Sequence, residues 1–226
     1  MKALFIAVLL ISSCGHVQKH TPQENINAKY LSPDLNVKEW ESIFSKNDRD
    51  VIAFKKQILT QLNLKKNDNV ADVGAGTGVF VTDLSKAVGA KGEVYAVDIS
   101  PKFIEHLNHK VKKEKLSNVK VVTGEFNSTT LNANSVNVIL VVDTYHHFEN
   151  PALMLADFRK ILKKNGRLVI VDYDKSLNSE PWLQNHIKLQ KTEYIKEIES
   201  HGFSMQSQAP IPFKESFMLI FKMKDQ

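Results

Sequence analysis

The sequence predicts an α/β fold: a doubly wound, mostly parallel sheet with helices on both faces and a C-terminal antiparallel hairpin at its edge. Strand-like and helix-like stretches alternate from Val70 to Asp172. Three glycines, Gly74, Gly76 and Gly78, fall between the first strand and the first helix of that series. The run from Val136 to Val142 is almost continuously aliphatic, as a parallel strand covered on both faces should be.

Each element has a local reason. Trp40, Ile43, Phe44, Val51, Ile52, Phe54, Ile58, Leu59 and Leu62 recur mostly at three- and four-residue spacings, which predicts one or two amphipathic helices up to Leu64. Strands follow at Val70–Val73, Glu93–Val97 and Val119–Val122, with helices between them at Phe80–Val88 and Lys102–Lys115. The last of these helices has an apolar face of Phe103, Ile104, Leu107 and Val111. Pro151 opens the helix after the fourth strand, where its missing donor is among the first-turn orphans. That helix runs to Leu162, and Asn165-Gly166 separates it from a strand at Arg167–Asp172. A long helix from Pro181 to about Ser200 then leads to two strands, Phe203–Gln208 and Phe217–Met223.

Composition narrows the function classes. The 226 residues are 42% hydrophobic and 24% charged, with a formal charge of +5, enough for one sizeable core. Only Arg49, Arg159 and Arg167 are arginine, a poor supply of the forks that read phosphates and base edges, so no nucleic-acid partner is expected. The single cysteine, Cys14, rules out internal disulfides and multi-cysteine zinc sites. It closes a segment made of Lys2, a nine-residue apolar run from Ala3 to Ile11, and Ser12-Ser13, which is a signal-peptide layout. Ile11-Ser12-Ser13-Cys14 resembles the bacterial lipobox, in which the cysteine becomes the first residue and carries lipid. The resemblance implies a signal peptide over 1–13, lipidated Cys14 with a flexible tether over 14–35, and one domain over 36–226. That domain divides into N-terminal helices (36–65), a ligand-binding core (66–175) and a C-terminal helix with hairpin (176–226). An exported chain of this kind would be lipid-anchored to a membrane of the bacterial cell envelope and periplasm-facing; it would be cytoplasmic if the signal is not used. An uncleaved hydrophobic N-terminus with an incidental cysteine is the alternative.

The chemistry concentrates in Asp72-Val73-Gly74-Ala75-Gly76-Thr77-Gly78. Glycine permits a tight turn and close ligand approach, and the following helix N-terminus offers amides to an anion. Asp98, at the end of the second strand, is placed to accept hydrogen bonds from ribose hydroxyls. The dinucleotide fingerprint GxGxxG is not met, because the third glycine comes one residue early and Val79 stands in its place. Asp72 would repel a pyrophosphate but suits a ligand with an ammonium and a carboxylate.

At these residues the chain resembles the class I S-adenosylmethionine-dependent methyltransferases, which are Rossmann-like. Val94-Tyr95-Ala96-Val97-Asp98 is similar to the family's second motif, implying Asp98 on the ribose and Ile99 against the adenine. Gly124-Glu125-Phe126 stands where the family often has Gly-Asp-Ala, implying Glu125 at the adenine amino group beside Phe126. The His146-His147 pair followed by Pro151 resembles the HH-x-x-x-P stretch of the ubiquinone and menaquinone C-methyltransferases, and Leu162-Lys163-Lys164-Asn165-Gly166 resembles the turn before the family's fifth strand. The resemblance implies S-adenosyl-L-methionine as cofactor, held by Asp72, Gly74, Ala75, Gly76, Gly78, Asp98, Ile99, Glu125 and Phe126, and methyl transfer to a small-molecule or lipid-like acceptor. Asp143, Tyr145, His146 and His147, just past the fourth strand, are the catalytic candidates, although paired histidines there also cap helices or pack in cores.

Other features have plainer readings. His106 and His109 share a helix face without an evident third ligand, so no metal is expected. The lysines from Lys102 to Lys120 read as a solvated face, or one attracted to anionic lipid. Trp40, Phe44, Arg49 and Asp50 form a lid over the cofactor or serve as packing. S-adenosylmethionine is made in the cytoplasm, which conflicts with export. A non-catalytic envelope binding lipoprotein on the same scaffold is therefore the alternative function. A nicotinamide-dependent oxidoreductase is disfavoured by Val79 and Asp72. The sequence does not specify an oligomeric state.

Overall fold

The computed structural model describes residues 26–175 and 181–224. The signal segment, Cys14 and most of the tether lie outside the described residues. Among the described residues, no helix is long and apolar enough to cross a membrane.

Four short helices come first: α1 (Ala28–Leu31), α2 (Val37–Phe44), α3 (Asp50–Ala53) and α4 (Lys55–Gln61). Then β1 (Asn69–Val73), α5 (Val81–Val88), β2 (Glu93–Asp98), α6 (Pro101–Lys113), β3 (Val119–Thr123), β4 (Val136–Val142), α7 (Pro151–Ile161) and β5 (Leu162–Tyr173) follow in the order the sequence predicts, with no helix between β3 and β4. The chain ends with α8 (Pro181–His186), α9 (Lys191–Ser200), β6 (Phe203–Gln208) and β7 (Ser216–Met223). One seven-stranded sheet has the order β3-β2-β1-β4-β5-β7-β6, parallel through β5 and antiparallel in the terminal hairpin.

The two-residue period of the strands builds two cores. Ala71, Val73, Ile139, Val141, Leu168 and Ile170 face α7, α8 and α9, where Leu155, Phe158, Leu183 and Ile198 are buried. Val70, Val94, Ala96, Val138, Leu140 and Val169 face the other way, onto Ile58 of α4 and Leu62 just after it, Leu84 and Val88 of α5, and Leu107 of α6. Neither face of the central strands meets water, which is why β4 carries no polar alternation.

Two boundaries differ from the sequence reading. The tether does not extend to residue 35, because α1 belongs to the domain: Ser100 Oγ donates to the Tyr30 carbonyl at 2.6 Å, and the Tyr30 ring packs on Trp40 and Phe103. A polar segment with little periodicity conceals a single aromatic anchor. The long helix after Pro181 is two helices. Buried Ile187 follows α8, and a new start forms where the Glu193 carboxylate accepts the Gln190 amide at 2.7 Å. The predicted turn at Lys163–Gly166 survives as an irregularity within β5, where Val136 pairs with Leu162 but Val138 with Arg167.

Buried tyrosines give a direct test of the C-terminal core. The Tyr145 hydroxyl donates to Glu197 Oε2 at 2.9 Å, whereas the buried Tyr194 hydroxyl has no hydrogen-bond partner. Tyr194→Phe should therefore leave stability unchanged or raise it by about 1 kcal/mol, and Tyr145→Phe should lower it by about 1–3 kcal/mol through loss of its hydrogen bond to a carboxylate. Urea unfolding of both variants measures the contrast.

Candidate active site

Parallel pairing delivers the carboxyl ends of β1, β2, β3 and β4 to one edge of the sheet, and a large cavity opens there. It holds about 1120 Å³, including its open mouth. Its floor is the turn after β1. Gly74, Gly76 and Gly78 have φ of 77°, 54° and 76°, a region costly for residues with a Cβ. At Gly74 a Cβ would also stand 2.3 Å from Thr144 Cγ2.

The turn is strapped to β2. The Val97 carbonyl accepts the amides of Gly74 at 2.9 Å and Ala75 at 3.0 Å, and Asp98 Oδ2 accepts the Gly76 amide at 2.8 Å. Gly78 donates to the Ala75 carbonyl at 2.8 Å. These four amides of the glycine turn are thus engaged inside the protein. Gly78 is corrected: it does not line the cavity, and its missing side chain makes room for Leu107 and Lys110 of α6. Gly74, Ala75 and Gly76 do line it.

Three carboxylates converge on the cavity, from the ends of β1, β2 and β4. Asp72 is 3% exposed; burial, with Asp98 adding repulsion and Lys55 opposing, pushes its pKa up to about 7. Burial also raises Asp98, against the backbone amides of Ser100, Gly76 and Ile99 that favour its charge. Asp143 sits in the left-handed region, φ 46°, and its Oδ2 is 2.5 Å from the Arg49 guanidinium. Its Oδ1 is buried without a partner, and burial outweighs Arg49 to place its pKa at about 6.

Ile99, Glu125 and Phe126 line the far side of the cavity, with Phe126 partly open to solvent. The N-terminal helices roof it through Tyr30, Phe44 and Arg49, together with Asn27. Trp40 and Asp50 serve packing instead: Trp40 lies behind Phe44 with ring centroids 5.3 Å apart, and Asp50 accepts the amides of Glu215 and Ser216.

The catalytic candidates divide. Asp143 and His147 line the cavity; Tyr145 and His146 do not. The 3-10 turn at Tyr145–His147 directs Tyr145 into the C-terminal core and His146 onto Asp172, with His146 Nδ1 at 2.7 Å from the carboxylate. Consecutive residues of a tight turn point in different directions, which spacing alone does not reveal. His147 is held neutral, its pKa driven to about 2 by burial first and then by His146 and His186. Sequence reasoning overlooked Tyr30, Phe103, Thr144 and His186, which carry no motif. His186, on α8, meets His146 and His147 only through folding.

A glycine turn with strand-end carboxylates at the carboxyl edge of this sheet matches a Rossmann-like methyltransferase scaffold. Residues 64–216 match the family model for the methyltransferase domain, and the chain belongs to that family. A SAM-dependent methyltransferase structure from Aquifex aeolicus superposes with a TM-score of 0.74 at 26% identity, over 82% of this chain and 97% of that one. The demethylmenaquinone methyltransferases of Geobacillus and Staphylococcus epidermidis are 26% and 28% identical over 59% and 69% of this chain. A 37.1 kDa protein of transposon TN4556 from Streptomyces fradiae is 29% identical over 54% of this chain. These matches span 60% of each demethylmenaquinone enzyme and 35% of the transposon protein. Family and fold imply S-adenosylmethionine as the cofactor, and the cavity fits a ligand of that chemistry: carboxylates, bare backbone at Gly74 and Gly76, and an aromatic roof line it. Nothing in these likenesses supports the non-catalytic binding protein.

Because Asp72 binds its proton more tightly folded than unfolded, it lowers stability progressively as pH rises from about 4 to about 7. Asp72→Asn should therefore raise stability at pH 8 by on the order of 1–3 kcal/mol, with a smaller gain at pH 5. Thermal melts of both proteins at the two pH values measure the difference.

Proposed function

We propose that this chain transfers the methyl group of S-adenosylmethionine to a small, apolar or lipid-like acceptor of the quinone kind. The observation that carries this reading is one continuous cavity holding Asp72, Asp98 and the glycine turn together with Arg49, Asp143 and an aromatic roof. Relatives named for demethylmenaquinone support the acceptor class, as do Tyr30, Phe44, Phe103, Phe148 and Met154 along the wall.

Asp72 takes the ammonium of the methionine end, and its ionisation is drawn out by that charge. With the turn amides engaged, Arg49, itself paired with Asp143 and the Phe44 carbonyl, is the permanent cation among the described lining residues and draws the carboxylate by charge. Asp98 keeps outer lone pairs for the ribose hydroxyls, Ile99 and Phe126 flank the adenine, and Glu125 accepts from its amino group. When bound, the cofactor supplies an electrophilic methyl carbon on a sulfonium. Positioning and exclusion of water by the aromatic roof then carry most of the acceleration. Asp143 Oδ1, unpaired and facing the acceptor end, orients an acceptor hydroxyl or carbon acid and removes its proton where the acceptor must lose one. His147, neutral throughout the working range, lines the same end.

Calorimetric titration with S-adenosylhomocysteine tests the cofactor site: Asp98→Ala should weaken binding by about 1.5–3 kcal/mol, and unchanged affinity in a folded variant rejects the ribose role. With a demethylmenaquinone analogue as acceptor, kcat/KM should rise through pH 6 as Asp143 ionises, and Asp143→Asn should lower kcat while sparing homocysteine-product affinity.

We also propose that Cys14 is lipidated and tethers the domain in the cell envelope, which the lipobox resemblance at residues 11–14 supports. Cys14→Ser should then leave an unprocessed, unlipidated chain. Masses for wild type and variant that differ only by the exchange of sulfur for oxygen reject the anchor.

A further inference from the structure

Three imidazoles from two parts of the chain converge beside the cavity. His146 and His147 come from the turn after β4, and His186 from the end of α8, with ring centroids separated by 4.2 Å, 5.0 Å and 5.5 Å. One nitrogen from each lies within 4.8 Å of the others. Tetrahedral zinc bonded to nitrogen at about 2.0–2.1 Å sets its ligands about 3.4 Å apart. Closing the trio onto an ion thus requires movements of roughly 1 Å, within the reach of a half-buried His186 side chain on a six-residue helix.

Two features distinguish this trio from incidental packing. Asp172, fully buried at the end of β5, holds His146 Nδ1 at 2.7 Å and leaves Nε2 for an ion, the carboxylate–histidine arrangement that orients metal ligands. His147 Nδ1 is buried with no hydrogen-bond partner, an unmet acceptor that a cation would satisfy. Tyr173 and Trp182 pack around His146 and His186 as an aromatic shell.

We propose that His146, His147 and His186 bind one divalent transition-metal ion of the zinc class, with Asp172 as the outer-shell carboxylate. Three protein nitrogens leave a fourth position open to water or another oxygen donor. Because His147 also lines the cavity, that position adjoins the acceptor end, where the ion would orient an acceptor oxygen. That role toward the acceptor rests on the methyltransferase reading; the ion site itself does not.

The test titrates the chelator-treated full chain with Zn²⁺ and, as a spectroscopic probe, Co²⁺. The expected result is one saturable equivalent, with the visible Co²⁺ bands of a low-coordinate nitrogen site. His186→Ala should weaken Zn²⁺ binding more than about 100-fold, beyond the 10–100-fold expected for Asp172→Asn at the outer shell. His109→Ala should leave it unchanged. Absence of a saturable equivalent, or unchanged affinity in the His186→Ala chain, overturns the site. S-adenosylhomocysteine titration of the same His186→Ala chain reports separately on the cofactor reading, which a failed metal site would leave standing.

Discussion

The Asp98 carboxylate is the constraint on which the site depends. Its Oδ2 accepts the Gly76 amide and its Oδ1 accepts the Ser100 amide, so one side chain joins the turn after β1 to the start of α6. Ser100 in turn caps α6 and holds α1 by the Tyr30 carbonyl. The same carboxylate borders the cavity and repels Asp72 across it. Remove it, and the turn, the helix start and the roof each lose an anchor. A charge held by backbone amides tolerates burial far better than an unpaired one.

The cavity is correspondingly expensive to keep. Asp72 and Asp143 are both driven above the ordinary carboxylate range by burial, and Asp143 adds a left-handed backbone and an unpaired oxygen. Such features destabilise a fold unless the surrounding structure over-determines them. Here the two apolar cores on either face of the sheet provide that surplus. A ligand carrying an ammonium would relieve the Asp72 burden, so binding and folding favour the same occupied state.

The ends of β4 and β5 form a second polar centre on the same edge. Arg49 bridges from the helical roof to Asp143, and Asp172 fixes His146 one strand away. The roof is thus attached by charge at the acceptor end and by the Ser100–Tyr30 hydrogen bond at the other. Helices α1 to α3, short and with little buried surface of their own, are ordered by these attachments more than by helix propensity.

The sequence by itself determined the layered architecture and the order of the strands, and it marked the glycine turn and the strand-end acids that border the cavity. Those features are local: period-two strands, a glycine turn whose backbone angles exclude side chains, and an acid at a strand end each announce themselves within a few residues. Tertiary structure alone decided the rest. It sent Tyr145 into the core and His146 onto Asp172, engaged the turn amides with Val97 and Asp98, drew Tyr30 from an apparent tether into the roof, and brought His186 to His147. These outcomes turn on side-chain direction and on partners 22 to 70 residues away, which no local pattern encodes.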